Sequence, residues 1–162
     1  MLNSVFTQNP YWESAMKKLL LTITTVFFAV SLFAADKTAE QYIADLDPAN
    51  DAAVIITAAN WLGKNKQEKA IQPLLPLLED SRETVRLNAV AALGNIGKED
   101  AIEGINRSLV SDESADVRYA AALATVKIAS PLSIPAWKEA RDKETDPYIR
   151  DFLTKMKEKV EK

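Results

Sequence analysis

A motif that recurs at a fixed spacing is the feature that most constrains the fold of this chain. The pair Val85-Arg86 recurs as Val117-Arg118 and again as Ile149-Arg150. The two intervals are equal, since 117 − 85 and 149 − 117 both give 32. A constant period of this length is typical of repeat proteins, in which each unit packs on its neighbours. The sequence therefore predicts a repeat array.

Each copy of the motif carries apolar residues at helical spacing. The apolar positions of the first copy place one stripe along an α-helix, and the two later copies repeat most of it. Such a helix cannot bury its apolar face alone, so we expect neighbouring helices to cover it. The stripes consist of Val85, Ala89, Ala92, Leu93 and Ile96, then Val117, Ala121, Ala124 and Ile128, then Ile149, Leu153, Met156 and Val160.

Helix-start signals divide the rest of the chain into short helices. Thr38 and Gln41 have the spacing of a capping box, in which each side chain bonds to the backbone at the other position. Asp47-Pro48 and Asp146-Pro147 also predict helix starts, because a carboxylate accepts from free N–H groups and proline suits the first helical position. With the repeated segments, these signals predict eight helices in four antiparallel pairs.

The first copy differs from the later ones. Its helix is predicted to end near Gly63, and aligning Gly63 with Gly97 puts Ala52 where the later copies carry arginine. Terminal repeats are often atypical in this way. Pro76 lies inside the next apolar segment, where it predicts either a kink or the true start of that helix.

The repeated motif resembles that of HEAT repeats, especially the short HEAT-like type found in bilin lyase subunits. The shared features are an acidic residue six positions before the arginine, alanines within the helix, and Ile-Gly at its end, as in Ile96-Gly97. The resemblance covers roughly Asp47 to the C-terminus. It implies an all-α solenoid, a superhelix of about four antiparallel helix pairs.

The resemblance also implies a role for the acidic residues and arginines of the motif. In that family the acid and the arginine form a ladder that joins successive repeats, and Glu144 departs from the aspartate of the other copies. We interpret these side chains as structural, with each arginine neutralised by its acid, in preference to an anion-binding edge. The predicted ladder comprises Asp80, Arg86, Asp112, Arg118, Glu144 and Arg150.

A second row of residues lies on the opposite side of the Val-Arg helices, since successive residues are about 100° apart around a helix. In a stacked array this row faces the inner surface, where it predicts an apolar groove for a partner segment. Sideways packing between the inner helices is the alternative. Trp61 and Trp137 are interpreted as core residues rather than binding anchors. The candidate partner-binding residues are Ile56, Leu87, Tyr119, Leu123 and Val126.

The composition excludes several functional classes. The 162 residues include no cysteine and no histidine, which removes thiol nucleophiles, disulfides, Ser-His-Asp triads and imidazole or thiolate metal sites. The formal net charge of −3 does not favour nucleic acid or anionic membranes as partners. We therefore expect no catalytic residues, no metal, no cofactor and no enzyme activity.

The N-terminal region has the three-part form of a secretory signal. Met16-Lys17-Lys18 is basic, residues 19–33 are uncharged and apolar, and Ala34-Ala35 precede an aspartate. We expect a signal peptide over residues 16–35 and a HEAT-like repeat domain over residues 36–162. Residues 1–15 are interpreted as a non-native or misassigned extension, with a genuine extension as the alternative. An uncleaved membrane anchor is the alternative for the apolar run, although it is short for a spanning helix.

Together these features predict an exported, non-catalytic protein-interaction or scaffold module, periplasmic in a cell with two membranes and otherwise extracellular. The expected partner is a protein, and a homo-oligomer is also open because a short array has exposed ends. One rival is a ligand-handling or lyase-type accessory protein, by analogy with the bilin lyase subunits. The other is a structural protein tethered to the membrane by an uncleaved signal.

Overall fold

All regular elements that the structure describes are helical. This computed structural model describes Ser14, residues 16–20 and residues 37–160, with side chains described as far as residue 156. Between residues 37 and 160 lie eight α-helices in four successive pairs, as the repeat pattern predicts. They are α1 (Ala39–Ala44), α2 (Ala52–Lys64), α3 (Ile71–Leu74), α4 (Glu83–Ile96), α5 (Ile102–Ser111), α6 (Ala115–Ile128), α7 (Ile134–Lys143) and α8 (Pro147–Val160).

The first helix of each later pair begins with a tight 3-10 turn. These turns span Glu68–Ala70, Glu99–Ala101 and Pro131–Ser133. Helix α3 has only four residues and continues as a second 3-10 segment, Leu75–Glu79, with Pro76 near its start. Because proline cannot donate a backbone hydrogen bond inside an α-helix, its position accounts for this change of helix type.

Two of the three predicted helix starts are found. Thr38 and Gln41 form the complete capping box, with Thr38 N donating to Gln41 Oε1 at 2.8 Å. Asp146 accepts from the backbone N of Tyr148 at 2.9 Å at the start of α8. The start predicted at Asp47 is wrong: its carboxylate accepts from Ala49 N within a turn, and α2 begins only at Ala52. Aspartate stabilises turns by the same side-chain hydrogen bond that stabilises helix starts.

The core lies along the predicted apolar stripes. The five stripe residues of α4 are all at most 4% exposed, and Val117, Ala121 and Ala124 of α6 are equally buried. In α8, Ile149 and Leu153 are buried, whereas Met156 is half-buried. The second helices of the pairs therefore share one continuous apolar core.

Glycines let these second helices approach one another closely. A Cβ atom added to Gly63 of α2 would lie 2.8 Å from Ala92 Cα of α4. A Cβ atom added to Gly94 of α4 would lie 2.6 Å from Ala124 Cβ of α6. Each glycine thus contacts the backbone or Cβ of an alanine on the next helix, and no larger side chain fits between the two.

Left-handed residues at the ends of these helices fix the alignment of the repeats. Lys66, Gly97 and Ala129 have φ values of 50°, 75° and 57°. Their positions are nearly periodic, since 97 − 66 gives 31 and 129 − 97 gives 32. The predicted alignment of Gly63 with Gly97 is therefore wrong by three positions. The residue equivalent to Arg86 is Ile55, from 86 − 31 = 55, and it is fully buried.

The chain divides into two units, residues 1–37 and residues 38–162, and the eight helices belong to the second. Of the first unit the structure describes Ser14 and residues 16–20, which are helical and exposed, and Lys37, which is exposed and outside any helix. Residues 21–36, which contain most of the predicted signal, lie outside the described residues. Within the described part of the chain, no helix combines the length and the apolar character needed to cross a membrane.

The close approach of α2 and α4 predicts different outcomes for two Gly→Ala substitutions. In Gly63→Ala the new methyl group meets backbone, so we expect a loss of about 1–3 kcal/mol from overpacking, which exceeds the roughly 1 kcal/mol gained in helix propensity. In Gly104→Ala the new methyl group meets side-chain ends alone, the Cδ atoms of Leu75 and Leu78 and, at 4.0 Å, Nη2 of Arg107. These side-chain ends can rotate away, so this matched variant should change stability by less than about 1 kcal/mol. Urea unfolding followed by circular dichroism measures both, and equal stabilities would contradict the close-packing argument.

Candidate binding surfaces and the arginine ladder

Arg86 joins its own repeat to the next through buried hydrogen bonds. Its Nε and Nη2 atoms donate to the two carboxylate oxygens of Asp112, at 2.9 and 3.1 Å. Its Nη1 donates to the main-chain oxygen of Asp80 at 2.9 Å. The side chains of Arg86 and Asp112 are only 7% and 5% exposed, and Asp112 raises the pKa of the guanidinium above its ordinary value. The carboxylate partner therefore stands 26 residues away, and not at the six-position spacing of the sequence motif.

Arg118 repeats this arrangement one unit further along. It donates to both carboxylate oxygens of Glu144, at 2.9 and 2.7 Å, and to the main-chain oxygen of Asp112 at 3.0 Å. Glu144 also accepts from the backbone N of Thr145 and of Asp146, each at 2.9 Å. The hydrogen bonds from Arg118 hold the pKa of Glu144 below its ordinary value. The longer glutamate thus occupies the place of the aspartate in the preceding repeat.

The two ends of the ladder differ from its middle. At the C-terminal end, Arg150 donates through Nε to the main-chain oxygen of Glu144 at 3.0 Å. At the N-terminal end, the carboxylate of Asp80 is bound by Arg82, whose Nε and Nη2 donate at 2.8 and 2.7 Å. This pairing, more than any other interaction, lowers the pKa of Asp80. Arg82 thereby replaces the arginine that the first repeat lacks.

Arg82 also connects the first two repeats. It donates to the main-chain oxygens of Asn50 and Pro48, at 2.8 and 3.0 Å. Sequence reasoning missed this residue because it is not periodic: Ser114 and Asp146 occupy the equivalent positions in the next two copies. A sequence signal for it was nevertheless available. Arg82 stands two positions after the motif aspartate Asp80, and the repeat that precedes it contains no arginine.

The candidate partner-binding residues do not form one uniform row. Leu87 and Tyr119 are half-buried and pack against the core, and Ile56 is also half-buried. Leu123 is 44% exposed. Val126 instead lines a cavity, together with Met156. Of the five candidate residues, Leu123 is therefore the most exposed.

Helix α8 contributes aromatic residues that the sequence did not predict as part of this surface. The ring of Tyr119 lies 5.4 Å from that of Tyr148 and 5.5 Å from that of Phe152, between ring centroids. The two tyrosine hydroxyl groups are 3.4 Å apart, and Tyr148 is 66% exposed. We call the exposed surface made by Tyr119, Leu123 and Tyr148 the tyrosine face.

Trp61 and Trp137 lie in the first and last repeats and pack against the core. Trp61 is half-buried and stacks on Tyr42, with the ring centroids 4.3 Å apart and an interplanar angle of 18°. Trp137 is half-buried and donates from Nε1 to the hydroxyl oxygen of Thr125 at 2.8 Å. Neither tryptophan belongs to the tyrosine face.

Comparisons with known proteins agree with this architecture. Residues 40–106 match the family model of HEAT repeats. A solved structure, the complex of CpcE and CpcF of phycocyanin lyase from Nostoc sp., matches with 29% identity and a TM-score of 0.61. That match covers 68% of this chain and 44% of the other, so this chain spans less than half the length of its structural relative. A comparison with curated proteins finds no match.

Because its ion pair with Asp112 is buried, we expect the removal of Arg86 to cause a large loss of stability. Arg86→Met leaves the Asp112 carboxylate buried without its bidentate partner, and breaking a buried ion pair costs about 3–5 kcal/mol. The matched control is Arg107→Met, because Arg107 pairs with Glu103 at 3.5 Å with side chains 61% and 90% exposed. Such exposed pairs contribute roughly 0.5 kcal/mol or less.

Chemical unfolding at neutral pH measures the two substitutions. If Arg86→Met does not fold, Arg86→Lys keeps the charge but loses the bidentate geometry, and should give a smaller loss of stability. Equal effects at positions 86 and 107 would mean that the ladder does not stabilise the array.

Proposed function

Since this chain contains HEAT repeats, we propose that it is a non-catalytic protein-interaction module that binds its partner through the tyrosine face. The observation that carries this proposal is an exposed apolar surface shared by two neighbouring repeats. Leu123 of α6 and Tyr148 of α8 are 44% and 66% exposed, and Tyr119 connects them by ring contact with Tyr148.

The chemistry of the tyrosine face suits protein binding. Tyrosine is enriched among the residues that dominate interface energies, because its ring buries a large area while its hydroxyl group forms a hydrogen bond. Tyr119 and Phe152 pack edge to face, so the rings are already held in place before a partner binds. A preordered aromatic surface loses little conformational entropy on binding.

The related structure supports a protein as the partner. It is a complex of two subunits, CpcE and CpcF, and its helices superpose on those of this chain over 68% of the sequence. By analogy, the partner of this chain is another protein subunit or a second copy of the chain. The lack of cysteine and histidine in the whole sequence supports a role without catalysis.

We propose further that the chain is exported, to the periplasm in a cell with two membranes. The support is the basic stretch before residue 19, the uncharged apolar run over residues 19–33, and the small residues that follow it. Cleavage after Ala34 or Ala35 would release the repeat domain without its apolar leader.

Site-specific photocrosslinking tests the interaction. With p-benzoylphenylalanine at position 123, in the cells that naturally produce the chain, we expect an adduct of defined mass on irradiation. The adduct contains either another protein or a second copy of the chain, and Tyr148→Ala should reduce its yield several-fold. The matched control places the same group at position 107 on α5, where the side chain is 61% exposed. No adduct at position 123, or equal adducts at both positions, would contradict the proposed face.

Mass spectrometry of the protein isolated from those cells tests the export proposal. We expect an N-terminus at Ala35 or Asp36 and recovery in the envelope or external fraction. A variant with Lys17→Glu and Lys18→Glu should accumulate uncleaved in the cytoplasm, because the basic segment of a signal is required for its function. A native chain that keeps residues 16–35 would overturn the proposed cleavage.

A further inference from the structure

The row of α6 residues at the tyrosine face carries a charge at each end. The row follows the helix at intervals of three, four and four residues, so its members form one stripe: Asp116, Tyr119, Leu123 and Lys127. Both charged residues are exposed, and 127 − 116 gives 11 positions between them. At 1.5 Å per residue this separation is about 16 Å along the helix. The stripe is therefore acidic at its start, apolar in its centre and basic at its end.

Neither charge is neutralised within the part of the chain that the structure describes. Asp116 forms no ion pair there. Lys127 donates to the side-chain oxygen of Asn95 at 2.5 Å, and this acceptor is neutral. On the neighbouring helix α8, by contrast, Asp151 and Lys155 pair with each other at 2.6 Å. Helix α6 thus presents one uncompensated charge of each sign, at opposite ends of an apolar centre.

This stripe is not a property of every repeat. One period earlier, α4 has the uncharged residues Thr84 and Asn95 at the two end positions, from 116 − 32 = 84 and 127 − 32 = 95. The two helices have equal lengths and therefore equal dipoles, so the helix dipole alone does not require the charges of α6. The centre differs as well, because α4 has Ala91 where α6 has Leu123. Helix α6 therefore combines the larger apolar centre with the two charges.

The charges are placed symmetrically about the apolar centre. For Tyr119 and Leu123 the midpoint is (119 + 123)/2 = 121, and for Asp116 and Lys127 it is (116 + 127)/2 = 121.5. A two-fold axis at this point would set Asp116 of one copy against Lys127 of another, and Tyr119 against Leu123. A stripe that binds a different protein needs no such symmetry. The charge pattern of α6 is therefore complementary to itself.

We propose that the tyrosine face binds a second copy of this chain, with the two α6 helices packed antiparallel about a two-fold axis. This rests on the proposed function, because it names the occupant of the same surface. Packed helices have axes about 8–10 Å apart, which brings facing side chains into contact. The apolar centre supplies the attraction. The ion pairs select the antiparallel arrangement, because a parallel one would set like charges against each other.

Charge reversal tests the pairing. Analytical ultracentrifugation of the chain as the cell produces it should give twice the mass of one chain. Asp116→Lys and Lys127→Glu should each weaken dimerisation roughly tenfold or more, since the two-fold axis sets like charges together at two places. An equimolar mixture of the two variants should recover the affinity of the unmodified chain. In the mixed dimer, both contacts between positions 116 and 127 join opposite charges.

Two control variants accompany the reversals. Glu103→Lys reverses a charge on α5, where the side chain is 90% exposed, and should leave the dimer unchanged. Leu123→Ser should weaken the dimer and keep the helical content that circular dichroism measures, because this side chain is 44% exposed in the single chain. Association through the apolar residues 19–33 would respond to none of these substitutions.

Three results would each overturn the second copy as the occupant: a chain still monomeric at about 1 mM, a dimer that resists both reversals, or a mixture that does not recover. Photocrosslinking at position 123 distinguishes this failure from failure of the proposed function. An adduct that contains only another protein, from a chain that is monomeric when purified, overturns self-pairing and retains the tyrosine face. No adduct at position 123 overturns both.

Discussion

The buried guanidinium that bonds to two repeats at once is the interaction on which the array depends. Apolar packing between helices is not directional, so it would tolerate some sliding of one repeat on the next. A buried arginine does not tolerate such sliding. If it moved, it would lose its hydrogen-bond acceptors, and the protein interior offers no others. Arg86 and Arg118 each bond a carbonyl of their own repeat and a carboxylate of the next. The ladder therefore fixes the position of each repeat, whereas the apolar core supplies most of the attraction.

Much of the fold could be predicted from the sequence because the helical stripe and its constant period are local patterns. They identify which face of α4 or α6 is buried, and the structure agrees at Val85, Leu93 and Val117. The start predicted at Asp47 failed because one residue type stabilises both turns and helix starts. The alignment through Gly63 failed because that glycine serves a helix contact, while the left-handed turn is made by Lys66.

The candidate sites were less predictable because they depend on distances between helices. The partners of Arg86 and Arg118 stand 26 residues away in the chain, and only the stacked arrangement brings them together. The tyrosine face requires α8 to lie beside α6, which the stripe of α6 does not specify.

The short range of the ladder contacts also bears on how the chain folds. In each ion pair of the ladder, the arginine and the carboxylate are only 26 residues apart in the chain. Each repeat thus contacts the repeats next to it in sequence. Proteins dominated by such local contacts fold quickly, and repeat arrays can begin to fold at any unit. A pair of repeats can thus form before the rest of the chain has been synthesised. Any process that needs an extended chain, such as threading through a narrow translocation pore, must therefore outpace this folding or be assisted by a holding factor.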